Sequence, residues 1–201
     1  FVLEHVAGLD TVAALPGYGA AGMESVAPLL EGGARFYEHV WAPTNRPADL
    51  AGSHLRDGRV VVLDALHDAY RRTMAGGWTM LPREPRSGDD GVPWLLHAAI
   101  IEMAASSNGS FSMLTGLIAG VIELLQAYAS EDLKALYVPR LFSGEWAGAM
   151  DLSEPGAGSD LGSLVTRAVP QPDGTYRLHG VKRFISWGEH DLAENIVHLV
   201  L

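Results

Sequence analysis

Two neighbouring segments, residues 94–105 and 111–128, are apolar on most sides, and no other feature restricts the architecture of this chain as much. A helix that is apolar all round has to sit among other helices rather than on a surface. Earlier segments provide the company. Residues 23–41 place Val26, Leu29, Leu30, Phe36, Tyr37 and Val40 on one stripe, with Pro43 and Pro47 expected to stop the helix. Residues 61–74 repeat the pattern through Leu63, Leu66, Ala69 and Tyr70 and end near Gly76-Gly77. Ser130, followed by Glu131 and Asp132, is suited to cap a further short helix that runs to Tyr137 and is interrupted by Pro139.

At about Gly144 the period changes. Residues 145–152 read as a strand, residues 176–186 as a hairpin, and residues 196–201 as a further short strand rich in β-branched residues. Pro172-Asp173-Gly174 marks a turn between them. The predicted class is α+β: an N-terminal all-α bundle over residues 1–144, then the beginning of an antiparallel β-barrel or sheet domain over residues 145–201. No long linker separates the two, so they are expected to pack directly.

Between the first strand and the hairpin lies Ser153-Glu154-Pro155-Gly156-Ala157-Gly158-Ser159-Asp160, a loop whose composition suits ligand binding. Pro155 fixes φ, and Gly156 and Gly158 allow backbone approaches that a Cβ would forbid. Common glycine-loop motifs fail on it. A phosphate-binding P-loop needs Lys then Ser or Thr after the second glycine, where Ser159-Asp160 stands. A dinucleotide fingerprint needs a small residue at Leu161 and a following helix, and a nucleophile elbow centred on Ser159 needs glycines at Ala157 and Leu161.

Composition removes several function classes. The formal charge of −10 disfavours a nucleic-acid surface, and Arg71-Arg72 and the arginines at 83 and 86 form no cationic stripe. No cysteine is present, which excludes disulfide and thiolate chemistry and suits a cytoplasmic protein. The N-terminus carries Glu4, His5 and Asp10 and reads as no leader. Residues 111–125 are broken by Ser112, Thr115 and Glu123 and fall short of the roughly twenty residues of a membrane span, so none is predicted. Gly116 and Gly120 mimic a membrane helix-pairing motif, yet serve close packing in a buried helix equally well. Asp64, His67 and Asp68 share a helix face and Glu189-His190-Asp191 cluster in a loop, but neither matches a metal signature, and no metal is expected.

A family accounts for the loop. Residues 150–160, then Thr166-Arg167, then Gly180-Val181-Lys182-Arg183-Phe184-Ile185-Ser186-Trp187-Gly188, resemble the acyl-CoA dehydrogenase flavoproteins in order and spacing. The ending, residues 186–201, and the opening Phe1-Val2-Leu3 and Leu15-Pro16-Gly17-Tyr18 are similar to the branch containing 3-methylmercaptopropionyl-CoA dehydrogenases. The resemblance implies FAD-dependent α,β-dehydrogenation of an acyl-CoA to a trans-2-enoyl-CoA, with 3-(methylthio)propionyl-CoA as the substrate of that branch. It also implies an electron-transferring flavoprotein as acceptor and a homodimer or homotetramer.

On the family pattern, Met150, Leu152 and Ser153 lie beside the flavin ring, Phe184, Ile185 and Ser186 cover it from a second strand, and Ser159 meets the acyl-CoA. Glu154 and Asp160 organise the loop rather than react. The family's catalytic glutamate comes from a helical domain after the sheet, beyond Leu201, so no base is assigned here. Glu102 and Glu123 lie on the apolar helices, where helix-edge placement is expected. Phe184 stands where much of the family has Trp, Met150 where an aromatic or another apolar residue is usual, and Ile118-Ala119 where relatives are more polar; residues 81–91 match the family's glycine-rich loop only in part. An acyl-CoA oxidase and a non-enzymatic flavin-binding relative or fragment stay open as alternatives, separable by peroxide production and by salt-dependent nucleic-acid binding.

Overall fold

A computed structural model describes residues 1–78 and 91–201. The partly matching loop at residues 81–91 lies outside the described residues except for Gly91. After a short helix α1 (Leu9–Ala13), helix α2 (Met23–Phe36) passes through a single π-turn at Tyr37–Trp41 into α3 (Ala42–Ala51). Pro43 therefore does not stop the helix as expected: it occupies the first turn of α3, where its missing N–H has no partner to lose. The wider π-turn before it absorbs the join. Pro47 likewise lies within α3, and Pro139 within a later helix.

Strands β1 (His54–Arg56) and β2 (Arg59–Val61) form a small antiparallel hairpin. Its two-residue turn, Asp57-Gly58, has φ values of 51° and 79°, the left-handed pair that such turns require. Val61 thus belongs to a strand, and α4 starts later than the apolar pattern implied, at Asp64–Ala75. Helices α5 (Trp94–Ser107), α6 (Gly109–Tyr128) and α7 (Glu131–Ser143) follow. Asn108 Oδ1 accepts from Phe111 N at 3.0 Å to cap α6, and Ser130 Oγ caps α7 as expected by accepting from Leu133 N.

The helical core centres on Tyr37, Trp41, Phe111, Leu114, Ile118 and Val121, all buried. Trp41 stands 4.6 Å from the Phe111 ring and 4.9 Å from Tyr37, and its Nε1 donates to Thr73 Oγ1 at 2.8 Å. At 20 residues α6 is longer than the sequence estimate and is apolar and long enough to cross a membrane by composition alone. In this fold its buried face carries Phe111, Leu114, Ile118, Val121, Ile122 and Leu125. Glu102 and Glu123 are both exposed.

The helices end at Ser143, and Gly144, at φ 75°, turns the chain into β3 (Trp146–Asp151). Gly148 lies against α6 so closely that a Cβ there would be 2.8 Å from Val121 Cγ2. Met150, two residues on and therefore on the same face, fills the space beside Gly120. Gly120 thus makes room for a strand side chain, which is the packing role expected of it. Strands β4 (Arg167–Pro170) and β5 (Tyr176–His179) pair antiparallel around the Pro172-Asp173-Gly174 turn. Strand β6 (Asn195–Val200), in contrast, runs parallel to β3. The β4–β5 excursion leaves β3 at one end and returns at the other, so the antiparallel expectation holds for the hairpin but not for this pair. Residues 181–186, expected to continue a strand, form none; Phe184 has φ 60°, outside the strand region.

Candidate functional site

Strand β3 delivers the glycine-containing loop at its C-terminal end. Glu154 and Ala157 close a tight turn through two backbone bonds, Glu154 N to Ala157 O at 2.8 Å and Ala157 N to Glu154 O at 3.1 Å. Asp160 Oδ1 accepts from Gly162 N at 3.0 Å and its Oδ2 from Ser163 Oγ at 2.7 Å, capping a turn of 3-10 helix at Leu161–Ser163. Both carboxylates therefore organise the loop.

Glu154 does so from a buried position. Its Oε2 accepts from Val165 N at 2.8 Å, and its Oε1 from Thr166 N at 3.0 Å and from Lys182 Nζ at 2.9 Å. The Thr166 side chain, the Val165 N–H and the Lys182 ammonium hold its carboxyl at about 2, below the usual carboxylate range. It is ionised at any physiological pH.

Lys182 also donates to Leu152 O at 2.9 Å, and Arg183 N donates to Ser153 O at 2.9 Å. These bonds bring the two motif segments together although residues 154–181 separate them. Phe184, the next residue after Arg183, is 90% exposed, and Leu152, the residue before Ser153, is also exposed. A solvent-facing Phe held at positive φ is strained, and such strain persists only where surrounding contacts impose it.

The other predicted residues are distributed around this junction. Met150 is packed against Gly120 of α6. Ile185 packs over Gly188. Ser186 lines a groove of about 670 Å³ between α3, α4, the start of α6 and residues 186–189, together with Ser110, Met113 and Trp187. That volume is in the range of small-molecule sites. Ser159 is exposed on the loop. The site is thus a junction of Leu152, Ser153 and Phe184 with a groove entered at Ser186. Among the described residues no group of three His, Cys, Asp or Glu is placed to hold a metal ion.

Sequence reasoning passed over the ties that fix residues 186–191. Trp187, at φ 54°, donates from Nε1 to Ser110 O at 2.9 Å. Asp191 Oδ1 accepts from Val62 N at 3.1 Å, while its Oδ2 lies 3.2 Å from His67 Nε2. His67 and Asp191 are two of the residues weighed above as metal ligands, and here they join the helical part to the loop. His190 is buried next to this contact in sequence, with Nδ1 accepting from Leu192 N at 3.2 Å. Desolvation, opposed by the Asp191 charge and reinforced by His67, lowers its pKa to about 4.

Because the folded value lies below that of the unfolded chain, the unfolded state binds the extra proton. His190 therefore contributes stability above about pH 6.5 that is lost as pH falls toward 4, a difference on the order of 3 kcal/mol. Thermal denaturation of the His190→Phe variant between pH 7 and pH 4 is expected to show a shallower decline than the parent; parallel curves would contradict the assignment.

No family model matches the chain. Among curated proteins it is 40% identical over 201 residues to the 3-methylmercaptopropionyl-CoA dehydrogenase of Ruegeria pomeroyi, covering 100% of this chain and 34% of that protein. It is 36% identical over 185 residues to a butyryl-CoA dehydrogenase of Syntrophomonas wolfei, covering 90% of this chain and 30% of that one. The chain spans about a third of the length of these relatives. Among solved structures, the fold is similar to an acyl-CoA dehydrogenase from Geobacillus kaustophilus, with a TM-score of 0.68 at 24% identity over 87% of this chain and 42% of that one. A Bacillus anthracis acyl-CoA dehydrogenase complexed with FAD gives a TM-score of 0.68 at 22% identity over 88% of this chain and 28% of that one. The chain belongs to the acyl-CoA dehydrogenase family.

Proposed function

We propose that this chain forms part of an FAD-dependent acyl-CoA dehydrogenase, with residues 1–144 as its N-terminal helical domain and residues 145–201 as the start of its β domain. The observation that carries this reading is the bond from Arg183 N to Ser153 O, which sets the two motif segments side by side. An exposed apolar face formed by Leu152 and Phe184, with the Ser153 hydroxyl next to it, suits a planar heteroaromatic ring with a polar edge. The residues present therefore fit a flavin.

In the proposed holoenzyme, Leu152 and Ser153 line the polar edge of the ring, and Phe184, Ile185 and Ser186 cover its face. Met150, packed against Gly120 of α6, lies beside the ring with Leu152 and Ser153, and Ser159 contacts the acyl-CoA. Bound FAD supplies the acceptor for the hydride that leaves the substrate β carbon while the α proton is removed. The chain's own contribution is orientation: both motif segments are held by the rigid pair β3 and β6 and by the buried Glu154, so the ring and the thioester meet in a fixed geometry. No residue of this chain is assigned as the base.

The proposed substrate is a short or medium acyl-CoA, with 3-(methylthio)propionyl-CoA supported by the 40% identity to the Ruegeria protein. The proposed acceptor is an electron-transferring flavoprotein, the proposed assembly a homodimer or homotetramer, and the proposed location cytoplasmic, with neither a membrane span nor a nucleic-acid partner. This chain alone is expected to be inactive; the complete protein is expected to carry a yellow flavin that 3-(methylthio)propionyl-CoA or butyryl-CoA bleaches anaerobically. Absence of flavin, or a flavin untouched by any acyl-CoA, would overturn the proposal. Ser153→Ala is expected to weaken FAD binding by about one hydrogen bond, a five- to tenfold rise in dissociation constant.

A further inference from the structure

We infer that Lys182 and Glu154 are positioning residues, a buried ion pair that sets the spacing between the two segments bearing the proposed flavin contacts. This inference rests on the flavin reading above and adds to it a pair that touches neither cofactor nor substrate. The geometry is specific. Lys182 Nζ reaches Leu152 O and Glu154 Oε1, both at 2.9 Å, and the two side chains are only 10% and 2% exposed. One ammonium thus holds the carbonyl of a proposed flavin-edge residue and the carboxylate that anchors the loop behind it.

Glu154 extends the connection. Through Val165 N and Thr166 N it fixes the start of the approach to β4, and Gly180, two residues before Lys182, lies so close to Thr166 that any Cβ there would collide with it. Lys182 is therefore held on one side by backbone contact and on the other by charge. Its neighbour Arg183 donates its N–H to Ser153 O, and Phe184, next along, takes the left-handed conformation that turns its ring outward. The chain order Lys182, Arg183, Phe184 thus converts a buried charge pair into the placement of an exposed ring.

A charge is used here rather than an apolar contact for a stated reason. The buried Glu154 carboxylate needs donors, and one Lys side chain supplies one to it while a second N–H of the same ammonium reaches Leu152 O. Removing either partner leaves a buried charge uncompensated, which costs far more than the pair itself is worth. The pair specifies one relative position of the two segments.

The test compares the flavin-loaded parent with Lys182→Met, Lys182→Arg and Glu154→Gln in the holoenzyme, reading the FAD dissociation constant and the visible flavin spectrum. Thermal stability is recorded alongside, with Trp41→Phe as a variant destabilised in the helical core away from the junction. Lys182→Met is expected to weaken FAD binding on the order of tenfold or more and to alter the flavin absorption bands, with Lys182→Arg recovering most of both, whereas Trp41→Phe lowers stability and leaves the bands unchanged. If Lys182→Met does not fold, Glu154→Gln decides by the same two readouts. Flavin binding and spectrum equal to the parent in the variant that folds would overturn the inference. A parent that binds no flavin overturns the underlying reading, a result separate from that one.

Discussion

Truncating Trp41 to alanine is expected to cost about 3–5 kcal/mol, the largest single effect in the helical part. The side chain is fully buried, touches Tyr37 and Phe111 edge-on or tilted, and donates to the Thr73 hydroxyl. The loss would consume much of the roughly 5–15 kcal/mol by which a folded domain of this kind is stable. Trp41→Phe separates the contributions. It keeps an aromatic ring in the core and removes the bond to Thr73, whose hydroxyl still donates to Ala69 O at 2.6 Å, so about 1–2 kcal/mol is expected. Urea denaturation followed by circular dichroism measures both, and equal costs for the two variants would contradict this division.

Gly148→Val is expected to cost about 3 kcal/mol by overpacking. The added Cβ alone would stand 2.8 Å from Val121 Cγ2 and 3.4 Å from the Ile118 Cα, so β3 or α6 has to move. Any displacement of β3 carries Leu152 and Ser153 with it, and flavin content should fall together with stability. Gly116→Ala, on α6, is the contrasting case: a Cβ there meets nothing within 4 Å, and its gain in helix propensity makes it neutral or stabilising by up to about 1 kcal/mol. Denaturation midpoints and the ratio of flavin to protein absorbance read both outcomes.

Much of this architecture is legible in the order of residues. The apolarity of 94–105 and 111–128 marked two helices, but each buries one face rather than most of its surface, with Trp94, Ile101, Met113, Leu124 and Tyr128 exposed; Ser130 identified a cap, because capping acts over a few residues. The stops at Pro43, Pro47 and Pro139 failed for a local reason of a different kind: proline ends a helix only where its missing N–H had a partner, and a π-turn followed by a fresh first turn removes that condition at Pro43. Asp57-Gly58 was a readable hairpin signal that the longer helical pattern around it obscured. The direction of β6 could not be read locally, since strand orientation depends on where the intervening chain travels.

At the site, composition brought out the loop that begins at Ser153, whereas Leu152 and Phe184, and the grouping of all three, came from the family resemblance alone. Tertiary placement was needed for the rest. Met150 faces α6 because β3 alternates and Gly120 leaves room for it. Asp191, grouped with Glu189 and His190 as a loop cluster, reaches back to Val62 and His67, a pairing across more than a hundred residues that no sequence period encodes.

The parallel pairing of β3 with β6 has a kinetic consequence. These strands meet only after residues 152–194 have closed into a large loop, whereas the helices and the two hairpins form from neighbours in sequence. Loop closure over such a span is entropically costly and slow relative to local structure. During biosynthesis the helical layer can therefore consolidate before the ribbon at its edge zips up, and the proposed cofactor platform, in the chain between those two strands, is among the last parts of the molecule to mature.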